Sequence, residues 1–257
     1  MKKMAKVPDS ECRPAHGATQ ISGKRCWPLR LSVALNVVMA LAIVAFGAYK
    51  VVPKFIGGGY DYESNQFYDP YVSVFEEAVA KQNVDVCFAG DSLTARGLWS
   101  EFFPDVKVSN RGIGSDTSEG LLNRLDTVVE GAPDVVFIMI GINDVGHKVP
   151  QQETVFNVAA ICDELHALLP DTTVVLQAVL PARINGTLAE DAVHSLNEGY
   201  CLVADERAWV EFADFHDAFL NADKLNTSLY CEDGVHLTGA GYRTWIEAVA
   251  GYVPLTD

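Results

Sequence analysis

The sequence contains few cysteines, and their spacing excludes the common metal-binding motifs. Six cysteines are scattered through 257 residues, and none of them forms a C-x-x-C pair or lies at a Cys/His ligand spacing. Six cysteines are also too few to build a disulfide scaffold in a chain of this length. The sequence leaves one bridge open among Cys162, Cys201 and Cys231. We therefore expect no zinc or iron–sulfur site.

Glycine-rich loops that bind phosphate are missing as well. The run Gly57-Gly58-Gly59 is not followed by a strand–helix unit with phosphate-binding spacing. The pair Gly112 and Gly114 lacks the third glycine and the downstream pattern of a dinucleotide-binding loop. We therefore expect no nucleotide and no other cofactor.

Basic residues are scarce after residue 54. Residues 55–257 contain ten Lys/Arg and thirty-two Asp/Glu, whereas residues 1–54 contain nine Lys/Arg and two acidic residues. A strongly acidic domain repels nucleic acid and anionic lipid surfaces, so we expect no nucleic-acid partner. The basic region 1–30 is predicted to be a cytoplasmic tail.

Between the basic and acidic regions, residues 31–49 form an apolar run without a charged side chain. A helix of this length spans the ~30 Å hydrocarbon layer of a bilayer. Lys24, Arg25 and Arg30 flank its first end, so the positive-inside rule keeps the N-terminus in the cytoplasm and places the acidic domain outside. We predict a single-pass membrane anchor. A cleaved signal peptide and a buried core helix are the alternatives, and the long segment before the run disfavours the signal peptide.

Strand-like and helix-like segments alternate through the predicted globular domain, residues 83–257, after a linker and lead-in helix in residues 50–82. Alternation of this kind predicts a parallel sheet with helices on both faces. Ligands of such folds bind at the carboxyl ends of the strands. The predicted strands are 84–89, 106–110, 134–141, 173–180 and 209–215, and the predicted helices are 71–82, 117–130, 151–169, 188–208 and 239–252.

Four short blocks of polar residues lie at the predicted strand ends. The first strand ends in Gly-Asp-Ser at 90–92, the second in NRGIGSDT at 110–117, and the third in GIND at 141–144. The fourth block, DGVHL at 233–237, comes just before the last helix. A serine, a glycine loop, an asparagine and an Asp-x-x-His therefore converge on one edge of the sheet. These are the residue types that acyl transfer through a serine nucleophile requires.

The four blocks, in this order and across residues 84–252, resemble the signature of the GDSL-like or SGNH hydrolase family. The resemblance implies a flavodoxin-like three-layer α/β/α sandwich with a parallel sheet of about five strands. The G-x-S-x-G motif of the common α/β-hydrolases is absent, because Leu93 and Thr94 follow Ser92.

The resemblance implies a catalytic triad of Ser92, Asp233 and His236. Ser92 would attack the ester carbonyl, and His236 would accept the serine proton and pass it to the leaving alcohol. Asp233, three residues before the histidine, would hold the imidazole in the required tautomer. His216, beside Asp217 at the end of the fifth strand, is the alternative base.

The implied oxyanion hole consists of the Ser92 amide, the side-chain amide of Asn143 and one amide of the second block. The family usually has a glycine directly before the aspartate of this block, where the present chain has Ser115. The donor in the second block is therefore either Gly114 or Ser115, since any residue supplies a backbone N–H.

The predicted function is that of a membrane-anchored serine hydrolase that cleaves carboxylic esters with a short-chain acyl or lipid group. The substrate would be a small molecule or a lipid or carbohydrate ester. One alternative is an acyl- or O-acetyltransferase that passes the acyl group to a carbohydrate hydroxyl. Another is a binding module that has kept the fold without the activity.

Overall fold

A parallel five-stranded sheet forms the centre of the computed structural model, which describes residues 60–78, 84–222 and 224–254. The described residues belong to one compact unit, Gly59–Asp257. All neighbouring strands pair in parallel in the order β2-β1-β3-β4-β5. This strand order is the flavodoxin-like one, and the predicted fold class is confirmed. The strands are β1 Val86–Gly90, β2 Val108–Gly112, β3 Val135–Met139, β4 Thr173–Gln177 and β5 Val210–Ala213.

Helices follow each of the first four strands and complete the two outer layers. They are α1 Tyr68–Ala78, α2 Ser92–Ala95, α3 Trp99–Phe102, α4 Ser118–Asn123, α5 Asp126–Val129, α6 Ile142–His147, α7 Gln151–Leu168, α8 Glu190–Asp205 and α9 Gly239–Val249. The described residues also form short 3₁₀ helices at Tyr62–Ser64, His216–Phe219 and Ala250–Tyr252. Two short hairpins pair Arg183–Ile184 with Thr187–Leu188, and Leu220–Asn221 with Lys224–Leu225.

The single helix predicted over 117–130 is wrong, because the structure has two short helices, α4 and α5, in this stretch. The break falls at Arg124, whose backbone leaves the helical region. Its guanidinium is fully buried and binds Asp116 and the carbonyl oxygen of Gly90. These contacts with the sheet edge outweigh the continuous helical pattern of the sequence.

The lead-in helix begins at Tyr68 instead of residue 71, and residues 79–83 lie outside the described part. The predicted anchor at 31–49 and tail at 1–30 also lie outside it. Within the described residues, no helix combines the length and the apolar character that a membrane crossing requires.

Both faces of the sheet are buried, which explains why β1, β3 and β4 are apolar without alternation. On one face, Ala89 belongs to a cluster that includes Leu165 of α7. On the other face, Phe88 stacks on Trp99 with ring centroids 4.0 Å apart, and Trp245 of α9 meets Trp99 edge-on. The helices on the two sides therefore enclose the strands and leave the carboxyl edge for the polar blocks.

The four cysteines among the described residues are all free thiols. Cys87 and Cys162 are buried, while Cys201 and Cys231 are exposed. The bridge that the sequence left open is therefore not formed in this part of the chain.

The strand register aligns the ends of β1, β2 and β3. Gly90 lies opposite Gly112 on one side and Met139 on the other. A side chain at residue 90 would collide with the carbonyl oxygen of Met139 and the hydroxyl of Thr94. Glycine thus allows the end of β1 to pack closely, and the next two residues carry the serine to the open edge of the sheet.

Candidate active site

Ser92, His236 and Asp233 form a continuous chain of hydrogen-bond contacts. The Oγ of Ser92 lies 3.0 Å from the Nε2 of His236, and the Nδ1 of that ring lies 2.7 Å from the Oδ2 of Asp233. Ser92 begins α2 directly after β1, whereas the other two residues lie in the loop before α9. The sheet therefore brings together two segments that are 144 residues apart.

Asp233 shapes its own loop as well as holding the imidazole. Its Oδ1 accepts hydrogen bonds of 2.9 Å from the amides of Val235 and His236. Gly234 has a φ of +68°, a value that glycine adopts without steric cost. Burial alone would raise the pKa of Asp233, but the hydrogen bonds from the His236 ring and from these amides outweigh it and lower the pKa to about 2.

An ionised Asp233 determines which nitrogen of His236 carries the proton. The carboxylate accepts the Nδ1–H, which leaves the lone pair of Nε2 directed at the Ser92 hydroxyl. This arrangement allows the imidazole to take the proton of the hydroxyl group. The imidazole side chain is 19% exposed and the Asp233 side chain 49% exposed, so the contact is accessible from solution.

His216, the alternative base, lies elsewhere. Its side chain is buried, with Nδ1 3.3 Å from Asp217 and Nε2 3.4 Å from Glu190. It makes no hydrogen bond with Ser92 in the described structure. The geometry therefore places His236, and not His216, beside the serine.

Two of the predicted oxyanion donors lie at the starts of helices. The amide of Ser92 is in the first turn of α2, where an N–H has no partner within the helix. Asn143 is the second residue of α6, which follows β3. Its Nδ2 donates a 2.8 Å hydrogen bond to the carbonyl oxygen of Asp116, and no other hydrogen bond of this side-chain amide forms among the described residues.

The third predicted donor lies in the loop after β2. Neither the Gly114 amide nor the Ser115 amide donates a hydrogen bond within the described residues. Ser115 has a φ of +60° in the left-handed region, which a glycine occupies more easily than any other residue. The conformation explains why a glycine suits this position and shows that the serine here adopts it too.

A layer of buried charged residues supports the site from beneath. Asp116 and Arg124 are both fully buried and form an ion pair of 2.7 Å. Asp144 accepts hydrogen bonds from the amide and the hydroxyl of Ser118. Burial raises the pKa of Asp144 to about 7, although the hydrogen bonds from Ser118 oppose this. The ion pair and these hydrogen bonds connect the loop after β2 to α4 and α6.

Sequence reasoning missed three of the residues that hold the site together, namely Arg124, Ser118 and Asn65. An arginine within an apolar helical pattern was the signal for Arg124. Ser118 follows the second block directly. Asn65 lies in a stretch without any motif, and its side chain reaches Gly114 across 49 positions of sequence. No group of three side chains in the described part of the chain is arranged to hold a metal ion.

Asp91, next to the nucleophile, is structural in its contacts. It is 1% exposed, and its Oδ1 accepts a 2.9 Å hydrogen bond from the amide of Leu93 at the start of α2. Its Oδ2 has no partner among the described residues. Burial, together with the nearby Asp116 and Asp144, raises the pKa of Asp91 to about 7 against the opposing effect of the Leu93 hydrogen bond.

Replacing Asp91 by asparagine should weaken the pH dependence of stability. An acid whose pKa is higher in the folded state favours folding at low pH, and that contribution is lost as the pH rises from about 4 towards 7. The asparagine side chain keeps the acceptor for the Leu93 amide but does not titrate. Urea denaturation at pH 5 and pH 8 should therefore show a smaller loss of unfolding free energy in Asp91→Asn than in the parent. A smaller loss of unfolding free energy remains in both proteins, because Asp144 also titrates in this range. Equal losses would contradict the assignment.

The sequence matches the model of the GDSL-like lipase/acylhydrolase family over residues 87–244. This range includes all four polar blocks. A curated relative, platelet-activating factor acetylhydrolase IB subunit alpha2 from Rattus norvegicus, is 26% identical over 164 residues. The match covers 62% of this chain and 71% of the relative.

Solved structures show the same fold. A protein from Streptococcus pneumonia, provisionally described as a platelet activating factor, has a TM-score of 0.68 at 24% identity and covers 84% of this chain and 99% of its own. A GDSL-like lipase from Bacteroides thetaiotaomicron has a TM-score of 0.60 at 26% identity, covering 72% of this chain and 96% of its own. Since the family match extends over more than half of the chain, the protein belongs to the GDSL-like lipase/acylhydrolase family and is an enzyme of the esterase type.

Proposed function

We propose that this protein hydrolyses carboxylic esters through an acyl-enzyme formed on Ser92, with His236 as general base and Asp233 as the residue that orients it. The observation that carries the proposal is the chain of contacts of 3.0 Å and 2.7 Å from the serine to the histidine and the aspartate. Family membership supports the reaction class.

In the first half of the reaction, the Ser92 oxygen attacks the ester carbonyl while the Nε2 of His236 takes the hydroxyl proton. The carbonyl oxygen becomes negative and binds the oxyanion donors. The bond to the alcohol then breaks, and His236 gives the proton to the departing oxygen. Ser92 is left as an acyl ester.

In the second half, a water molecule attacks the acyl carbonyl and gives its proton to His236. The tetrahedral intermediate collapses, the carboxylic acid leaves, and the proton returns to the Ser92 oxygen. Each oxyanion donor contributes ~2.7–4 kcal/mol to the barrier reduction in enzymes of this kind. Water is the proposed acceptor, because the family that the chain matches is one of lipases and acylhydrolases.

A fluorophosphonate probe tests the role of each triad residue. The probe should label Ser92 in the parent, and Ser92→Ala should not be labelled. His236→Ala should abolish most labelling because the hydroxyl loses its base. Asp233→Asn should give an intermediate loss, because the imidazole stays in place but favours the wrong tautomer.

His216→Ala is the matched control, because it removes a histidine that contacts Glu190 and Asp217 and not the serine. Its labelling should stay close to that of the parent, measured by in-gel fluorescence on protein of equal concentration. Labelling of Ser92→Ala at the parent rate, or loss of labelling in His216→Ala alone, would refute the proposed triad.

We propose that the acyl group is short, and that an acetyl ester is the preferred substrate class. The partly exposed His236 and Asp233 side chains support this, since a short acyl group reaches Ser92 from solution without a long apolar channel. The platelet-activating factor acetylhydrolase relative also supports an acetyl ester by its name. A lipid ester with a long acyl chain is the competing substrate class.

A chain-length series of 4-nitrophenyl esters separates these two classes. The kcat/KM for the acetate should exceed that for the octanoate by at least about tenfold, on the order of the discrimination that a pocket achieves against extra methylenes. The spontaneous hydrolysis of each ester and the Ser92→Ala protein serve as blanks. An octanoate that reacts as well as the acetate would favour the lipid ester.

We also propose that residues 31–49 anchor the enzyme in a membrane, with the N-terminus in the cytoplasm and the catalytic domain on the other side. The uncharged run and its basic flank support this topology. Protease added to intact cells should digest the catalytic domain and spare a tag placed before residue 30. Recovery of the uncleaved full-length protein in the soluble cytoplasmic fraction would refute the anchor.

A further inference from the structure

A segment that precedes the family match contacts the oxyanion side of the site. The family model begins at residue 87, but residues 60–68 reach the loop after β2 and helix α6, which carry two of the predicted oxyanion donors. Tyr60 stacks on His147 of α6, the helix of Asn143, with ring centroids 3.6 Å apart. Asn65 donates a hydrogen bond of 2.8 Å from its Nδ2 to the carbonyl oxygen of Gly114.

Asn65 is held firmly enough to position this carbonyl. The residue is 9% exposed. Its backbone amide donates to the carbonyl of Tyr62, and its Oδ1 accepts a hydrogen bond from the amide of Phe67. The Phe67 ring lies against Gly114, since a Cβ on that glycine would stand 3.4 Å from it. The contact with Gly114 is therefore part of a packed interface.

The carbonyl of Gly114 and the amide of Ser115 belong to the same peptide unit. The described chain has no cis peptide bond, and in a trans peptide the C=O and N–H point in opposite directions. A hydrogen bond from Asn65 to this carbonyl thus directs the Ser115 N–H away from Asn65. It also polarises the peptide, which makes that N–H a stronger donor.

The same loop meets the nucleophile through the residues just before Gly114. The Ile113 amide donates to the carbonyl of Gly90, at the end of β1. Gly112 packs so closely on the backbone of Ala95 in α2 that it leaves no space for a Cβ. The loop therefore contacts the backbone on both sides of Ser92 through Gly112 and Ile113, and it contacts Asn65 through Gly114.

The left-handed conformation of Ser115 is strained, and the hydrogen bond from Asn65 opposes its relaxation. A φ of +60° costs a residue with a Cβ ~1–2 kcal/mol relative to the right-handed regions. Rotation of the 114–115 peptide plane would relieve this strain by returning φ to negative values, but it would turn the N–H away from its present direction. The hydrogen bond from Asn65 to Gly114 is lost in that rotation, so it stabilises the strained orientation.

We propose that Asn65 is a positioning residue that holds the Gly114–Ser115 peptide with the Ser115 N–H directed at the substrate oxyanion. The inference rests on the proposed serine esterase mechanism and selects Ser115 over Gly114 as the donor of the second block. It also assigns a part of the site to a segment outside the family-matched region.

Asn65→Asp tests the role of the Nδ2 donor. The substitution is nearly isosteric and keeps the Oδ1 acceptor for the Phe67 amide, but it places an acceptor against the Gly114 carbonyl. The matched control is Tyr68→Phe, which removes the 2.9 Å hydrogen bond from the same segment to the carbonyl of Gly120. That bond does not touch the 114–115 peptide.

The measurements are kcat and KM for 4-nitrophenyl acetate, affinity for an alkyl boronic acid that forms a tetrahedral adduct on Ser92, and Tm, all on the full chain. Asn65→Asp should lower kcat and boronate affinity about tenfold, less than the loss of a whole donor, with KM within about twofold of the parent. Tyr68→Phe should leave kcat within about twofold at a comparable change in Tm.

Ser115→Gly provides a rescue, because glycine occupies positive φ without strain. In the Asn65→Asp background it should restore most of the lost kcat, with the Ser115→Gly single variant measured in parallel as the reference for the double variant. If Asn65→Asp does not fold, Asn65→Ala is compared with Tyr68→Phe in the same way.

Several outcomes separate this inference from the proposed function. The positioning role is overturned if Asn65→Asp loses no more kcat than Tyr68→Phe does, or if its loss lies only in KM. It is also overturned if Ser115→Gly does not restore the kcat lost in Asn65→Asp. Ser92→Ala run in parallel reports on the mechanism itself. If Ser92→Ala is inactive while Asn65→Asp has parental kcat, only the inference fails, and if Ser92→Ala keeps full activity, the proposed mechanism fails with it.

Discussion

The buried ion pair between Asp116 and Arg124 connects the three strand ends on which the site is built. The Nη2 of Arg124 lies 2.7 Å from Asp116 and donates a 3.0 Å hydrogen bond to the carbonyl of Gly90, two residues before the nucleophile. The backbone carbonyl of Asp116 in turn accepts the side-chain amide of Asn143. Burial raises the pKa of Asp116, against the effect of Arg124. Removing one partner of such a pair typically costs ~3–5 kcal/mol, because it leaves a buried charge alone.

The two halves of the site depend on contacts of different range. Asp233 and His236 are three residues apart, and the hydrogen bonds that orient the imidazole form within their own loop. The side predicted to bind the oxyanion lies at the ends of β1, β2 and β3, and the segment before the family-matched region contacts it. Its geometry therefore requires the completed sheet, whereas Asp233 and His236 require only that their loop lies beside Ser92.

Ser115, where the chain departs from the family pattern, lies on the side of the site that depends on contacts between distant segments. A serine at a positive φ is tolerable only where surrounding contacts hold the backbone in place. The loop after β2 has such contacts, since Ile113, Gly114 and Asp116 each bind a neighbouring segment. The donor predicted for this position is a main-chain N–H, which a serine supplies as well as a glycine.

Much of the fold and the central residues of the site could be predicted from the sequence, because the signals are local. Short strand-like runs, apolar in β1, β3 and β4, marked all five strands. The polar blocks at their ends marked Ser92, Asn143, Asp233 and His236 as residues of one edge. Membership of the family then followed from blocks that are each a few residues long.

Other features were decided only by the tertiary structure. The helical pattern over 117–130 gave no sign of a break, since the break results from the attraction of Arg124 for a carboxylate and a carbonyl on the sheet edge. The position of His216 away from the serine depends on how the segment after β5 packs. Asn65 stands in a stretch without periodicity or motif, and its contact with Gly114 crosses 49 positions. Local propensity encodes elements and their ends, but a hydrogen bond between distant segments exists only once the sheet has brought them together.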